Sequence, residues 1–139
     1  MKNEFLLGID YGTKKIGISI GQLVTKNCRP HKIIYKDSIE EIKAIIIEWN
    51  INKIIIGYPV HEKIGSIHKE IKKFSENIRK SLDFDIEIIF HNEAYTSEIA
   101  KNEFAQMRNK GVRKKSSLDY DDISASIILQ SWINENMID

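Results

Sequence analysis

The chain is short of cysteine, of surplus charge and of long apolar runs, and each shortage removes a class of protein. Cys28 is the only cysteine among 139 residues, so no intrachain disulfide can form and no thiolate pair exists for a zinc knuckle. The 21 basic residues face 20 acidic ones, a formal +1. That balance excludes histone-like binding driven by overall positive charge. It leaves nucleic acid open as a partner, because the local distribution of charge matters more than its sum. The longest apolar runs, such as Ile45-Ile46-Ile47 and Ile54-Ile55-Ile56, fall far short of the ~20 residues that span a bilayer. Glu4 and Asp10 interrupt the first ten residues, leaving no apolar core for a signal peptide. A cytoplasmic protein with no membrane association is expected. No internal repeat, low-complexity stretch or Pro/Gly/Ser linker divides the sequence. A length inside the usual range of roughly 100–200 residues and a 42% hydrophobic content therefore predict a single domain over residues 1–139.

The patterning that is present reads as alternating strands and helices. Phe5 to Ile9 is a continuous apolar run, the mark of a strand buried on both faces. After a turn at Tyr11-Gly12-Thr13-Lys14, Ile16, Ile18 and Ile20 alternate with Gly17, Ser19 and Gly21. That is strand period with one bulky and one small face, and the small face lets another element approach closely. A third strand is expected over His31 to Tyr35. Ser38 and Glu41 form a capping-box signature, opening a helix with Ile39, Ile42, Ile46 and Trp49 on one side. Lys53 to Gly57 predicts a buried strand and Ile67 to Leu82 a helix with Ile71, Phe74 and Ile78 inward. Ile86 to Phe90 predicts a further strand. Thr96 to Met107 predicts a helix, and so does the segment from about Asp119, which carries Ile123, Ile127, Ile128 and Trp132. Antiparallel strands followed by strands alternating with helices imply a mixed sheet of the α/β class.

Three acidic positions stand out. Asp10 ends the first apolar strand, where a carboxylate is half withdrawn from water; an aspartate that merely opens a turn is the plain alternative. Glu93 follows the Ile86–Phe90 strand, and sites in open α/β sheets form beyond the carboxyl ends of parallel strands; a surface glutamate at a helix entry is the plain alternative. Asp119, Asp121 and Asp122 open the last helix, where acids favour the helix dipole. Asp119 and Asp122 fit a capping pair, which leaves Asp121 unexplained, in helical register with Ala125, Ile128 and Trp132. Three acids converging on one edge repel one another unless divalent cations neutralise them. Hard oxygen donors without cysteine suit Mg²⁺ or Mn²⁺. Arg108, Lys110, Arg113, Lys114 and Lys115 lie in a stretch free of acids from Phe104 to Leu118, either a solvated loop or a grip on a phosphate backbone.

These residues carry a resemblance. The run from Leu7 to Ile18, Leu-Gly-Ile-Asp-Tyr-Gly-Thr-Lys-Lys-Ile-Gly-Ile, resembles the opening motif of the YqgF (RuvX) family. Gly57-Tyr58-Pro59 resembles the family's motif after its fourth strand, and Tyr120 to Gln130 its final helix, in which an aspartate precedes the Ile-Ile-Leu segment by six residues. That register selects Asp121 over Asp122. The resemblance implies an RNase H-like fold with a mixed five-stranded sheet flanked by helices. It also implies a metal-dependent nuclease with Asp10, Glu93 and Asp121 as catalytic metal ligands. The family is associated with maturation of the 5′ end of 16S ribosomal RNA, and with resolution of Holliday junctions. Two stretches depart from the family pattern. Asn92-Glu93-Ala94 stands where the family has Asp-Glu-Arg, and Val60 to Ser66 keeps only Gly65-Ser66 of an Asn-Met-Asp-Gly pattern.

The expected activity is therefore hydrolysis of phosphodiester bonds in precursor rRNA, with ribosomal particles as partners and Lys14 joining the basic cluster in binding phosphate. A binding or ribosome-assembly factor that keeps the fold without catalysis is the second reading, suggested by Asn92 and Ala94. Cutting of branched DNA is the third; it requires a dimer, whereas rRNA trimming is compatible with a monomer or weak homodimer. The Asp-Tyr-Gly-Thr opening also resembles sugar kinases and chaperone ATPases, but those need two such lobes and this chain is too short for both.

Overall fold

The alternation of isoleucines with small residues in the second strand gives the sheet one bulky and one nearly flat side, and the rest of the fold is arranged around that difference. The computed structural model describes residues 4–12, 14–35, 38–59, 65–92 and 121–136. Strands β1 (Phe5–Tyr11), β2 (Lys15–Gln22) and β3 (Asn27–Tyr35) form an antiparallel meander. Helix α1 (Ile39–Trp49) leads to β4 (Ile51–Tyr58), which pairs parallel with β1. Helix α2 (Ser66–Ser81) leads to β5 (Glu87–Asn92), parallel with β4. The last described helix, α3, spans Asp121–Asn136. The strand order β3-β2-β1-β4-β5 makes the mixed five-stranded sheet that the patterning implies. β1 and β5 are parallel but not neighbours, because β4 lies between them.

Two local expectations are corrected. β3 begins at Asn27, four residues before the apolar stretch suggests. Its first half is polar and mostly solvent-facing because it is an edge strand, so no apolar alternation marks it. Pro30 sits there at a register shift opposite Ser19, the kind of edge position where a missing N–H is harmless. Ser38 precedes α1 but its side chain makes no capping bond, since its backbone (φ −97°, ψ 49°) is not extended as a cap requires. Its carbonyl instead accepts from the Glu41 and Ile42 N–H groups. The far end of α1 closes on Asn50 in the left-handed conformation, with its N–H directed to the Ile46 and Ile47 carbonyls, a role asparagine tolerates. The helix expected over Thr96 to Met107 lies outside the described residues.

The core has two layers. On one side of the sheet Leu7, Ile9, Ile16, Ile18, Ile20, Ile54 and Ile56 pack with Ile42, Ile45 and Ile46 of α1 and Ile71, Phe74 and Ile78 of α2. On the other side Leu6 and Ile55 pack with Ile128, Leu129, Trp132 and Ile133 of α3. Each such side chain, fully buried, contributes about 1.5–3 kcal/mol. Ser126, Gln130 and Ser131 of α3 are also buried. Gln130 Nε2 donates to the Lys26 carbonyl at 2.8 Å and to Asn134 Oδ1 at 3.1 Å, and the Cys28 thiol donates to the Ser126 carbonyl at 3.1 Å. These partners let polar residues sit inside a helix that the sheet largely encloses.

α3 lies close to the sheet because Gly8 of β1 and Gly21 of β2 present no side chains beneath it. A Cβ on Gly8 would stand 2.7 Å from Leu129 Cβ and 2.9 Å from the Ala125 carbonyl oxygen, and would collide with Ser19 Oγ. A Cβ on Gly21 would stand 2.9 Å from a Leu129 methyl. Two of the Gly8 obstacles are backbone or Cβ atoms that no rotamer change can move. Gly8→Ala is therefore expected to destabilise the protein by about 1–3 kcal/mol, the cost of overpacking a tight core, as read by urea denaturation. Wild-type stability in that variant would contradict the packing described.

Candidate active site

The carboxyl ends of the parallel strands lie at the sheet edge that the beginning of α3 approaches, and Asp10 ends β1 there. Ile9 pairs with Ile56, and Gly57 pairs with His91. Asp10, Gly57 and His91 therefore stand in one row across β1, β4 and β5. At ~4.8 Å per strand, the Asp10 and His91 backbones are about 10 Å apart. Asp10 alternates with Ile9 and shares the face of Gly8, the face that α3 covers. It is half-buried there. Gly57 leaves the middle of the row without a side chain.

The position of α3 follows from its contacts with the two glycines. Ile133 and Leu129 lie over Gly21, then Leu129 and Ala125 lie over Gly8. Gly21 pairs with Leu6, and Gly8 with Ser19. Read from Ile133 to Ala125, the helix advances along β1 from Leu6 to Gly8. One more turn, ~5.4 Å, reaches the first residue of the helix, Asp121. Two more strand residues, ~6.6 Å, reach Asp10. The start of α3 and the end of β1 thus come together. The Asp121 side chain is not among those described.

Other expected site residues are distributed as follows. Lys14 is exposed in the turn between β1 and β2, a turn closed by the Gly12 N–H donating to the Lys15 carbonyl at 2.9 Å. A Cβ at Gly12 would stand 2.5 Å from that carbonyl oxygen. Glu93 follows directly on β5, and it lies outside the described residues, as do Arg108, Lys110, Arg113, Lys114 and Lys115. Among the described residues no three His, Cys, Asp or Glu side chains gather into a metal site.

Two histidines acquire definite places in the structure. His91 is only 6% exposed, and its Nε2 lies 3.2 Å from Ser131 Oγ of α3. Burial pushes its pKa below the ordinary 6.5, with Glu135 pulling weakly the other way, so at pH 7 it packs as a neutral ring. His68, 2% exposed in the first turn of α2, ties together the two ends of the segment between β4 and α2. Its Nδ1 accepts from the Gly65 N–H at 3.1 Å, so the ring proton sits on Nε2, which donates to the Pro59 carbonyl at 2.6 Å. Gly65 has no side chain to answer with, so this is half of a capping box. The signal for it was present in Gly-Ser-Ile-His, but a histidine at the third helical position is not the usual Glu or Gln.

Comparison with known proteins identifies the lineage of this arrangement. The profile of the family described as "RuvX: Holliday junction resolvase" matches residues 4–135. The chain belongs to the RuvX family. A relative from Sulfurihydrogenibium sp., named "Putative pre-16S rRNA nuclease", is 33% identical over 93% of this chain and 89% of its own length. One of the same name from Francisella tularensis subsp. tularensis is 32% identical over 96% of this chain and 98% of its own. Among solved structures, Thermus thermophilus RuvC in complex with a Holliday junction substrate superposes with a TM-score of 0.65 at 8% identity, covering 96% of both chains. A fowlpox virus resolvase in complex with Holliday junction DNA gives 0.58 at 12% identity, covering 96% of this chain and 99% of its own. The RuvX chain therefore has the RNase H-like fold of the RuvC-type nucleases, as the motifs in its sequence implied.

In this RuvX chain His68→Leu removes both bonds of the clamp at once and leaves a partly buried N–H and carbonyl without these partners. A loss of about 0.5–1.5 kcal/mol per hydrogen bond is expected, measured by urea denaturation. A variant as stable as the wild type would show that the two bonds contribute nothing.

Proposed function

We propose that the RuvX chain is a Mg²⁺- or Mn²⁺-dependent nuclease acting in the cytoplasm on the 5′ region of precursor 16S rRNA, with Asp10, Glu93 and Asp121 as its catalytic metal ligands. The observation that carries this reading is the convergence of the end of β1 with the start of α3, which brings Asp10 and the first residue of the helix to one level. Membership of a nuclease family supports the reaction type. The names of relatives about a third identical support rRNA as the substrate. The fold alone is shared with the junction-bound resolvases, so branched DNA is the second substrate to test.

The donor set suits a hard divalent ion. Asp10 is half-buried at the sheet edge, Glu93 and Asp121 add oxygens, and the thiol and imidazole on the same side of the sheet are engaged elsewhere, Cys28 with Ser126 and His91 with Ser131. Held by these carboxylates, divalent ions would supply the Lewis acidity that activates water and stabilises the leaving oxygen of a phosphodiester. The chain's own residues do the rest. Asp10 and the rigid strand beneath it fix one side of the site. The start of α3 presents N–H groups and a positive dipole end toward the anionic backbone. Lys14, exposed just beyond Asp10, and the cluster Arg108, Lys110, Arg113, Lys114 and Lys115 supply phosphate contacts. Asn92 and Ala94, where the family has an acid and an arginine, place more of that grip on these lysines and arginines. One domain of this kind, acting as a monomer or weak homodimer on rRNA within ribosomal particles, needs no second active site.

Purified protein should cleave labelled precursor rRNA in Mn²⁺ or Mg²⁺ and not in EDTA. Asp10→Asn, Glu93→Gln and Asp121→Asn should each lose at least about 10²-fold in rate, the scale of removing a group that stabilises developing charge. Cleavage undiminished in all three variants would overturn the site assignment. Junction cutting without rRNA cutting would move the substrate to DNA.

Replacing Lys114 and Lys115 by alanine should weaken binding of any sequence. The slope of log affinity against log salt should fall by about one for each phosphate that is no longer neutralised, read by fluorescence anisotropy in EDTA across a salt series. An unchanged slope would return this cluster to an ordinary solvated loop.

A further inference from the structure

The face of the sheet that carries Asp10 continues across β2 and β3, and its outer rim holds residues that the proposed chemistry does not use. Asp10 pairs with Gly17, and Gly17 with Ile33. Two residues nearer the edge where β1 ends, about 6.6 Å along the strands, Lys15 pairs with Tyr35. Strand alternation gives this second row its face. Ile16 and Ile34 are buried in the layer under α1 and α2. Lys15 and Tyr35 therefore stand on the other face, with Gly17, Asp10 and α3. β3 runs in the same direction as β1, because each is antiparallel to β2, so its last residue, Tyr35, reaches the Asp10 edge. β5, which leads to Glu93, lies on the far side of β1.

Both residues are fixed through their backbones. The Lys15 carbonyl accepts from the Gly12 N–H at 2.9 Å, and the Tyr35 carbonyl from the Ser38 N–H at 3.1 Å. Their side chains are not tied down in the same way. Tyr35 is 70% exposed, the most open large apolar side chain among the described residues. The other four such side chains lie elsewhere. Val24 and Phe84 are at the opposite edge, Ile47 is on α1, and Phe90 is on the face under α1 and α2. Lys15 and its exposed neighbour Lys14 form no ion pair among the described residues. Directly opposed residues of antiparallel strands have Cβ atoms about 4.5–5.5 Å apart, so one cation and one ring leave the sheet side by side. A nucleic-acid strand offers the matching groups in alternation, a phosphate for the cation and a base for the ring.

We propose that Lys15 and Tyr35 form the track on which the substrate strand leaves the metal site toward β3, with Lys15 on a phosphate and Tyr35 against an adjacent base. The proposal rests on the nuclease reading above and deepens it, because it states which side of Asp10 the strand occupies. Two strand spacings and two residues separate Tyr35 from Asp10, about 12 Å between backbones, which a strand crosses within a few nucleotides of the scissile bond. Neither residue touches the reacting atoms, so both act on binding and not on the chemical step. Stacking tolerates any base, so the track holds the strand without reading its sequence.

The test uses the full chain in EDTA, with a fluorescein-labelled single-stranded RNA as the probe. Inorganic polyphosphate, which carries the charge without the bases, serves as the competitor. Tyr35→Ala should bind the RNA about 5- to 100-fold more weakly, the range typical of one stacked base, with the wild-type salt slope and unchanged affinity for polyphosphate. Lys15→Gln should lower the salt slope by about 0.7, the share of one phosphate on a single strand. Tyr35→Phe should keep the wild-type affinity, and so should Phe84→Ala and Phe90→Ala, whose rings lie off the track. A folded Tyr35→Ala protein with wild-type affinity would overturn the track, as would a loss that polyphosphate shares or an unchanged slope in Lys15→Gln. If the wild type still cleaves precursor rRNA in metal, those results leave the nuclease reading standing. The expected binding losses in a protein that cleaves nothing would count against the nuclease reading alone.

Discussion

The close approach of α3 to the sheet is the constraint on which the rest depends. It exists because Gly8 and Gly21 offer no side chains where Ala125, Leu129 and Ile133 descend. The same distance serves two purposes. It seals the second core layer around Leu6, Ile55 and Trp132, and it fixes how near the first turn of α3 comes to the end of β1. A helix lifted by one methyl group would lose packing and widen the site together. Packing and the level of the α3 start are coupled here through geometry, because the sheet under α3 is flat at Gly8 and Gly21.

The topology sets the other dimension of the site. β1 lies at the centre of the sheet, with antiparallel partners on one side and parallel ones on the other. Its carboxyl end therefore faces the same edge as those of β4 and β5, the edge at which α/β proteins build their sites. Since β4 intervenes, the end of β5 is about 10 Å from Asp10. Gly57 contributes no side chain to that gap. The buried His91 beneath α3 and the clamped His68 hold the two sides of this edge without being donors to it.

Much of this was legible in the sequence because the strongest signals were periodic. The alternation from Ile16 to Gly21 announced a flat strand face, and the stripe Ile71, Phe74, Ile78 announced the buried side of α2. What escaped was structure whose reasons are non-local. The polar first half of β3 is a strand only because β2 pairs with it. Ser38 has the composition of a cap and the wrong backbone for one. α3 shows no single apolar face, since Ser126, Gln130 and Ser131 are buried with partners on the β2–β3 turn, on Cys28 and on His91. For the proposed site, residue types and family motifs supplied the candidates Asp10, Glu93 and Asp121, and the fold supplied the common level of Asp10 and the α3 start. Neither periodicity nor motif pointed to Lys15 and Tyr35 as neighbours, because their pairing joins two strands.

The central claim, one metal site shared by the ends of β1 and β5 and the start of α3, is tested most directly by letting the bound ion mark its own surroundings. Fe²⁺ loaded in place of Mg²⁺, with ascorbate and peroxide, cuts the polypeptide near wherever it binds, and mass spectrometry reads the cuts. The account predicts cuts clustered at Asp10, Glu93 and Asp121 together, suppressed by excess Mg²⁺ and lost in Asp10→Asn. Cuts confined to one of these segments, or a pattern indifferent to Asp10→Asn, would contradict it.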